Sequence, residues 1–306
     1  MSRQNARCSR RLAMESLETR QMMTGNVLVS VSAGNLVVSG DSGGNELRII
    51  QSLQNGAPIA GRFFITGQNG TTINGQTVGQ FFQNVSGDLR INLNGGNDRL
   101  TLGDGVSNSR FIAPRDLQVD MGDGNDVVRL DRVSVRDDAR LVTGAGSDSV
   151  FVKGAIGGLA GVDFGQNDLT IDTGDRADNI SLENVFVRHN LNVNTGSDDF
   201  TDFVDMHFMN IGNDTDVRTG GGGDIVRISD VGFNDDLTID TGAGNDSVSI
   251  DRCQVDELFL SLGTDSDALT LRNTVGRRAS LNGGLGSDTL SQSGNSFSQF
   301  FGASGF

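Results

Sequence analysis

The chain is poor in the residues that ordinary globular folds rely on. It has two prolines in 306 residues, no tryptophan, no tyrosine and a single lysine, Lys153. So little proline excludes polyproline and collagen-like structure. Two cysteines, Cys8 and Cys253, cannot build a disulfide framework. No run approaches the roughly 18 apolar residues of a membrane span, which excludes membrane insertion. Positive charge is scarce as well. The formal net charge is −15 and the one dense basic run is Arg3, Arg7, Arg10 and Arg11, so a nucleic-acid partner is excluded on electrostatic grounds.

Glycine and aspartate are what the chain has in excess. Glycine occurs 43 times, about twice its average usage of ~7%, and 34 of the 39 acidic residues are Asp. Both residues form turns. The turns recur in one pattern: an alternating apolar strand, a turn of the form G-x-G-x-D, and a second alternating strand, as in LTIDTGAGNDSVSI from Leu237 to Ile250. The turn Asp falls at Asp98, Asp126, Asp148, Asp178, Asp202, Asp224, Asp246, Asp267 and Asp288, with spacings of 28, 22, 30, 24, 22, 22, 21 and 21.

A strand buries alternate residues, so a physical repeat must be apolar at the same offsets in every coil. Seven residues before each Asp stand Ile91, Val119, Leu141, Ile171, Val217, Ile239, Leu260 and Leu281; Val193 takes this place in the coil of Asp202, which carries a two-residue insertion. Two residues after it stand Leu100, Val128, Val150, Ile180, Val204, Val226, Val248, Leu269 and Leu290. Further apolar pairs at offsets seven and nine, such as Val133 with Val135 and Cys253 with Val255, mark a third short strand. Period two throughout excludes a helical repeat. The pattern predicts an all-β fold, a right-handed parallel β-helix (β-solenoid) with three short strands per coil of 21–22 residues.

The organisation expected is a leader over 1–25, N-terminal coils and cap over 26–87 with Glu46 at the Asp position, regular repeats over 88–290, and a tail over 291–306. The extra residues at 103–114 and 154–165 are expected to leave the coil as loops that protrude on one face. The tail, with Phe297, Phe300, Phe301 and Phe306, either caps the last coil or is disordered.

Two resemblances follow from these residues. GDGNDVV (122–128), GAGSDSV (144–150), GGGGDIV (220–226), GAGNDSV (242–248) and GLGSDTL (284–290) resemble the RTX calcium-binding turn. That resemblance implies Ca²⁺ as cofactor, held between coils by a column of Asp126, Asp148, Asp202, Asp224, Asp246 and Asp288 with backbone carbonyls. The spacing departs from that family, since RTX repeats run every nine residues, and Arg176, Phe200 and Asp265 break the glycine pattern here. A purely structural reading stands beside it, in which each carboxylate accepts hydrogen bonds from its own turn, as suits Asn97, Asn125 and Asn245 next to the Asp residues.

The second resemblance is to secreted planctomycete proteins, through Arg11, Glu15, Leu17, Glu18, Arg20, Met22 and Met23 and the module VSGDSGGNELRI. It implies an extracellular or cell-surface location and no particular activity. Glu15 and Glu18 occupy the place of the apolar core of a Sec signal, so a conventional signal peptide is not expected.

The functional expectation is a non-catalytic structural or adhesive β-solenoid whose partner is a cell-surface polysaccharide or another surface protein. The alternative is a carbohydrate-active β-helix enzyme, a polysaccharide lyase or hydrolase. Against an enzyme, the Asp residues repeat uniformly, and His189 and His207 are the only histidines. Cys253, on an inward column, is read as a buried structural thiol.

Overall fold

A computed structural model describes residues 25–103, 110–154, 162–164 and 168–306. The expected leader, all but residue 25, and most of the two expected loops lie outside these residues. The fold is a β-solenoid with parallel stacking, and among the described residues there is no helix. Each coil follows the same course. A leading strand such as Leu237–Asp240 enters the G-x-G-x-D turn, and a trailing strand such as Ser247–Asp251 leaves it. A short third strand, such as Val185–Val187, then carries the chain to the next leading strand.

Stacking is in strict register. Leu117–Asp120 pairs with Ala139–Val142, which pairs with Leu169–Asp172, each residue facing its counterpart one coil on. The trailing strands run likewise from Arg99–Leu102 to Thr289–Ser293. The inward residues are those the alternation picks out. Ile171, Val217, Val204 and Leu182 are fully buried and Ile239 is 1% exposed, in one continuous apolar core.

Three strands per coil hold as far as Gly232–Phe233. Beyond that the third strand fuses with the next leading strand, giving Gln254–Ser261 and Val275–Asn282. The register explains why: Gly232 pairs with Gln254, 22 residues on, whereas Leu237 pairs with Leu258, 21 on. One corner residue is missing, and the chain runs straight through.

The insertions lie between trailing and third strands, because Phe111–Ala113 and Val162–Phe164 both stack on Val133–Val135. A corner tolerates extra residues where a paired strand does not.

Both ends depart from the regular coil. At the N-terminal end the chain reverses direction: Asn26–Ser32 pairs antiparallel with Asn35–Ser39, and Glu46–Gln54 with Ala57–Gly67. These hairpins cover the first parallel strands, which blunts an otherwise open edge. Their turns, Ala33-Gly34 and Asn55-Gly56, have positive φ at both residues, the two-residue hairpin geometry that Asn-Gly favours. At the other end the tail does not fold across the core. Ser296–Ser304 adds another parallel strand on Val275–Asn282, with Phe297 half-buried against the core. Its pairing shifts register between Ala279 and Ser280.

Because Ile239 sits in a fully packed column, Ile239→Ala should cost about 2–5 kcal/mol, and Ile239→Asp should cost more by burying an unpaired charge. Thermal melts followed by circular dichroism check both; a wild-type melt for Ile239→Asp would refute the inward register.

Candidate functional site

Three corners separate the three faces of a coil, and each is built differently. At the first, the Asp of G-x-G-x-D turns inward and is 0–3% exposed from Asp98 to Asp267. Its carboxyl bonds to the neighbouring coil rather than to its own turn. The Asp98 N–H donates to Asp126 Oδ1 at 2.7 Å, Asp126 to Asp148 at 2.7 Å, and Asp148 to Asp178 at 2.8 Å. The series continues through Asp202, Asp224, Asp246 and Asp267 to Asp288, all at 2.8–2.9 Å. It begins at Asn45, whose N–H donates to Asp98 Oδ1 at 2.6 Å. Asn45, not Glu46, therefore holds the Asp position in the first coil; Glu46 is one residue out of register and pairs with Arg99.

The second oxygens are the unusual part. Oδ2 of Asp98, Asp126, Asp148, Asp178, Asp224, Asp246, Asp267 and Asp288 is buried without a hydrogen-bond partner. Five residues before the Asp stands a buried threonine in several coils, Thr143, Thr173, Thr219 and Thr241, with Thr195 in the coil that carries the insertion. Thr195 Oγ1 lies 2.5 Å from Asp202 Oδ2. In other coils that place is Leu93, Met121 or Leu262.

Burial dominates the electrostatics of this column. Desolvation raises Asp98, Asp126 and Asp202 to about 7, Asp178 to about 8 and Asp246 and Asp267 to about 6, and raises Asp148 and Asp224 as well. The N–H bonds pull the other way, but a carboxylate needs two or three of them to stay ionised when buried.

The resemblance to calcium-binding turns can be tested on this geometry. All six residues expected to hold Ca²⁺, Asp126, Asp148, Asp202, Asp224, Asp246 and Asp288, stand in one column. Each Oδ1, however, faces an N–H. The turn carbonyls that would complete the shell accept N–H groups too: Gly124 N–H donates to Ala145 O at 2.8 Å, Gly222 to Ala243 O at 2.7 Å and Gly244 to Thr264 O at 3.1 Å. A Ca²⁺ shell needs six to eight oxygens facing the ion; here Oδ1 and these carbonyls face hydrogen-bond donors, while Oδ2 of eight of the nine Asp residues has no partner. Among the described residues, acids that do come together in threes lie elsewhere, as Asp214, Asp235 and Asp236 and as Asp236, Asp256 and Glu257, where Arg277 and Arg278 already pair with Asp256 and Glu257.

Those acids belong to the corner before the leading strand, a second ladder that the repeat search passed over. Asp168 N–H donates to Asp138 Oδ1 and Asn190 N–H to Asp168 Oδ1, both at 3.0 Å, and Glu257 N–H to Asp236 Oδ1 at 3.2 Å. It runs in the opposite sense to the inner ladder, each acceptor lying one coil earlier. Its signal was an Asp ten residues before the turn Asp in six coils, Asp88, Asp116, Asp138, Asp168, Asp214 and Asp236. An outer ladder joins Asn97 to Asn125 and Asn125 to Ser147, both at 2.8 Å, so these asparagines also bond between coils.

The remaining corner has no residue-type signature. Six residues after the Asp, Arg132, Asn184, Phe208, Asp230, Arg252 and Asn273 all adopt φ of 49–58°. The backbone demands a left-handed residue there whatever the side chain, at about 1–2 kcal/mol for a non-glycine.

Of the histidines, His207 has its Nδ1 2.5 Å from Ser229 Oγ and 4.0 Å from Asp230. The residue types are those of a hydrolytic triad, but the geometry is not. Ser229 and Asp230 face the same ring nitrogen, and Arg252 clamps Asp230 with two 2.7 Å bonds. Cys253 is buried, its thiol pushed up to about 11 by desolvation, far from a reactive thiolate. A cavity of about 510 Å³, lined by Gln51, Pro58, Val85, Ile112 and Arg136, lies between the N-terminal hairpin and the first coils and brings together no acid–base pair.

Residues 9–27 match the Planctomycete extracellular family, which supports an extracellular protein and leaves the solenoid itself uncovered. No curated protein and no solved structure matches the chain.

The turns stack so closely that glycine is required at some positions and convenient at others. A Cβ on Gly244 (φ +125°) would stand 1.6 Å from Gly222 O, whereas one on Gly56 (φ +79°) would meet nothing within 4 Å. Gly56→Ala should therefore cost about 1 kcal/mol from backbone conformation alone, and Gly244→Ala several times that, read as the difference in melting temperature. Equal losses would show that the turns are not in contact.

Proposed function

We propose that the protein is a non-catalytic extracellular solenoid, a structural or adhesive element that presents its long faces to a surface polysaccharide or another surface protein. The observation that carries this reading is uniformity. The same buried columns and the same ladder recur from coil to coil, and among the described residues no coil gathers a cleft of convergent acid, base and nucleophile of the kind a lyase or hydrolase requires. The extracellular part rests on the match of residues 9–27.

A polysaccharide partner would find hydrogen-bonding side chains on the outer face of the leading strands. A depression of about 540 Å³ there is lined by Ser39, Arg90, Asn92, Gln118, Asp120 and Arg140. Such a row suits a hydroxyl-rich chain better than a flat apolar partner.

Incubation with pectic, alginate and neutral polysaccharides should release no unsaturated uronates and no reducing ends, while protease added to intact cells should remove the protein. Sustained product release that His207→Ala abolishes would overturn the non-catalytic reading, and protection from external protease would overturn the location.

A further inference from the structure

On the outer face of the trailing strands, cations collect at the N-terminal half. Pairing carries this sheet from Gln80–Phe82 through Ala57–Gly67, Glu46–Gln54, Arg99–Leu102 and Val127–Asp131 to Ser149–Lys153. Alternation turns Arg48, Arg62, Arg99, Arg129 and Lys153 outward, because the apolar residues beside them hold the inward places. The acids on the same strands are Glu46 and Asp131. Positive charge therefore outweighs negative here, on a chain whose net charge is −15. The five cations come from separate strands, so no basic run in the sequence announces them.

The acids of this half-face have other partners. Asn69 Nδ2 donates to Glu46 Oε2, and Asp131 lies 3.9 Å from Arg132 at the corner. Lys153 reaches Glu183 of the next coil at 2.7 Å. Among the described residues Arg62, Arg99 and Arg129 form no ion pair, whereas Arg90, Arg140 and Arg218 on the leading-strand face each have one.

A ring, not a carboxylate, holds two of these three. Arg129 Cζ lies 4.3 Å from the centre of the Phe151 ring and Arg62 Cζ 4.9 Å from that of Phe81, which is 59% exposed. A ring takes up only the flat face of a guanidinium and cancels none of its charge. The N–H edge of Arg129, an exposed residue, is thus left for a planar carboxylate that bonds it in two places. A depression of about 310 Å³ opens beside it, lined by Thr101, Arg129, Asp131, Phe151, Lys153 and Glu183.

We infer that this patch, on a different face from the hydrogen-bonding row described above, is a binding site for an acidic polysaccharide carrying uronate carboxylates. The inference rests on the polysaccharide reading and adds to it a second face and the charge of the ligand. The acidic remainder of the chain repels a polyanion, which therefore seats where the cations are. Arg99 and Arg129 take carboxylates, Thr101 a hydroxyl, and the exposed Phe81 ring the apolar side of a sugar. Five strand spacings of ~4.8 Å give the patch a length of roughly 24 Å along the rod, room for several sugar units. Beyond it the same face alternates in sign through Glu183, Asp205, Arg227, Asp251 and Arg272. There Arg227 repeats the stack, 5.1 Å from the Phe203 ring, but its partner in the neighbouring strand is Asp205.

The test is affinity electrophoresis of the full chain through gels containing polygalacturonate, dextran or dextran sulfate, with dissociation constants read from the retardation. A chelator is present throughout, so that calcium cannot bridge carboxylates. Polygalacturonate should retard the wild type, and added salt should weaken the effect. Arg99→Gln and Arg129→Gln should each raise the dissociation constant about tenfold at an unchanged melting temperature. Phe151→Ala, which takes the ring from under Arg129, should raise it too, and Arg227→Gln should leave it as it is. Unchanged binding in Arg99→Gln and Arg129→Gln would overturn the proposal; loss in Arg90→Gln and Arg140→Gln instead would keep the polysaccharide reading on the leading-strand face. Retardation by dextran alone would likewise overturn this site and spare that reading. Dextran sulfate or a single-stranded oligonucleotide bound as tightly as polygalacturonate would overturn the uronate assignment. Retardation by no polysaccharide would remove both.

Discussion

Each coil buries one aspartate, and the way that carboxyl is satisfied ties the coil to its neighbour. Main-chain pairing between parallel strands fixes spacing, but a one-residue slip would preserve many of those bonds while turning every apolar side chain outward. The N–H to Oδ1 bond does not tolerate the slip, because only the Asp of the next coil can reach the donor. Nine such bonds, from Asn45 to Asp288, therefore lock register along the rod. The G-x-G turns follow from the same demand. Stacking the turns closely enough for the bond brings Gly244 within a Cβ's reach of the Gly222 carbonyl, so glycine is required there, while Arg176 and Asp265 hold the equivalent place in two other coils at φ of 84°.

Burying a file of ionised carboxylates one strand spacing apart would be expensive. Two unit charges at 4 Å repel by about 4 kcal/mol at an effective dielectric of 20, and every Asp from Asp126 to Asp267 has two such neighbours. Nature can relieve that with a cation between coils or with a proton on each acid. In this chain an N–H faces each Oδ1, while Oδ2 of eight of these Asp residues is buried without a hydrogen-bond partner. The second ladder stays exposed enough for water to screen its charges, which accounts for unbroken runs of acids such as Asp235 and Asp236 at that corner.

A solenoid of this kind is quasi-one-dimensional, so its stability sums over neighbouring coils and its long faces are free to vary. Outward residues do vary, from Arg129 and Phe151, which stack as cation and ring, to Ser181 in the next coil. Inward residues are mostly Val, Ile or Leu, with Met206, Phe233, Ala139 and Cys253 among the exceptions. Function in such a molecule resides on the faces and loops, while the core and inner corner supply a stiff support.

Much of this was legible in the sequence, since alternation and stacking are local properties repeated many times. The apolar columns, the G-x-G-x-D corner, the all-β class and the parallel stacking could be read from spacing alone, because a two-residue period leaves one choice of buried face. The N-terminal reversal had its own sign in Asn55-Gly56. What only the tertiary structure decided is where each polar group finds its partner. Spacing could not say that Asp126 bonds to the coil beside it instead of to its own turn, or that the turn carbonyls are already taken. It could not reveal a left-handed corner occupied by Arg132, Phe208 and Arg252. Those facts arise between coils, where partners are 21 to 30 residues apart in the chain and adjacent in space.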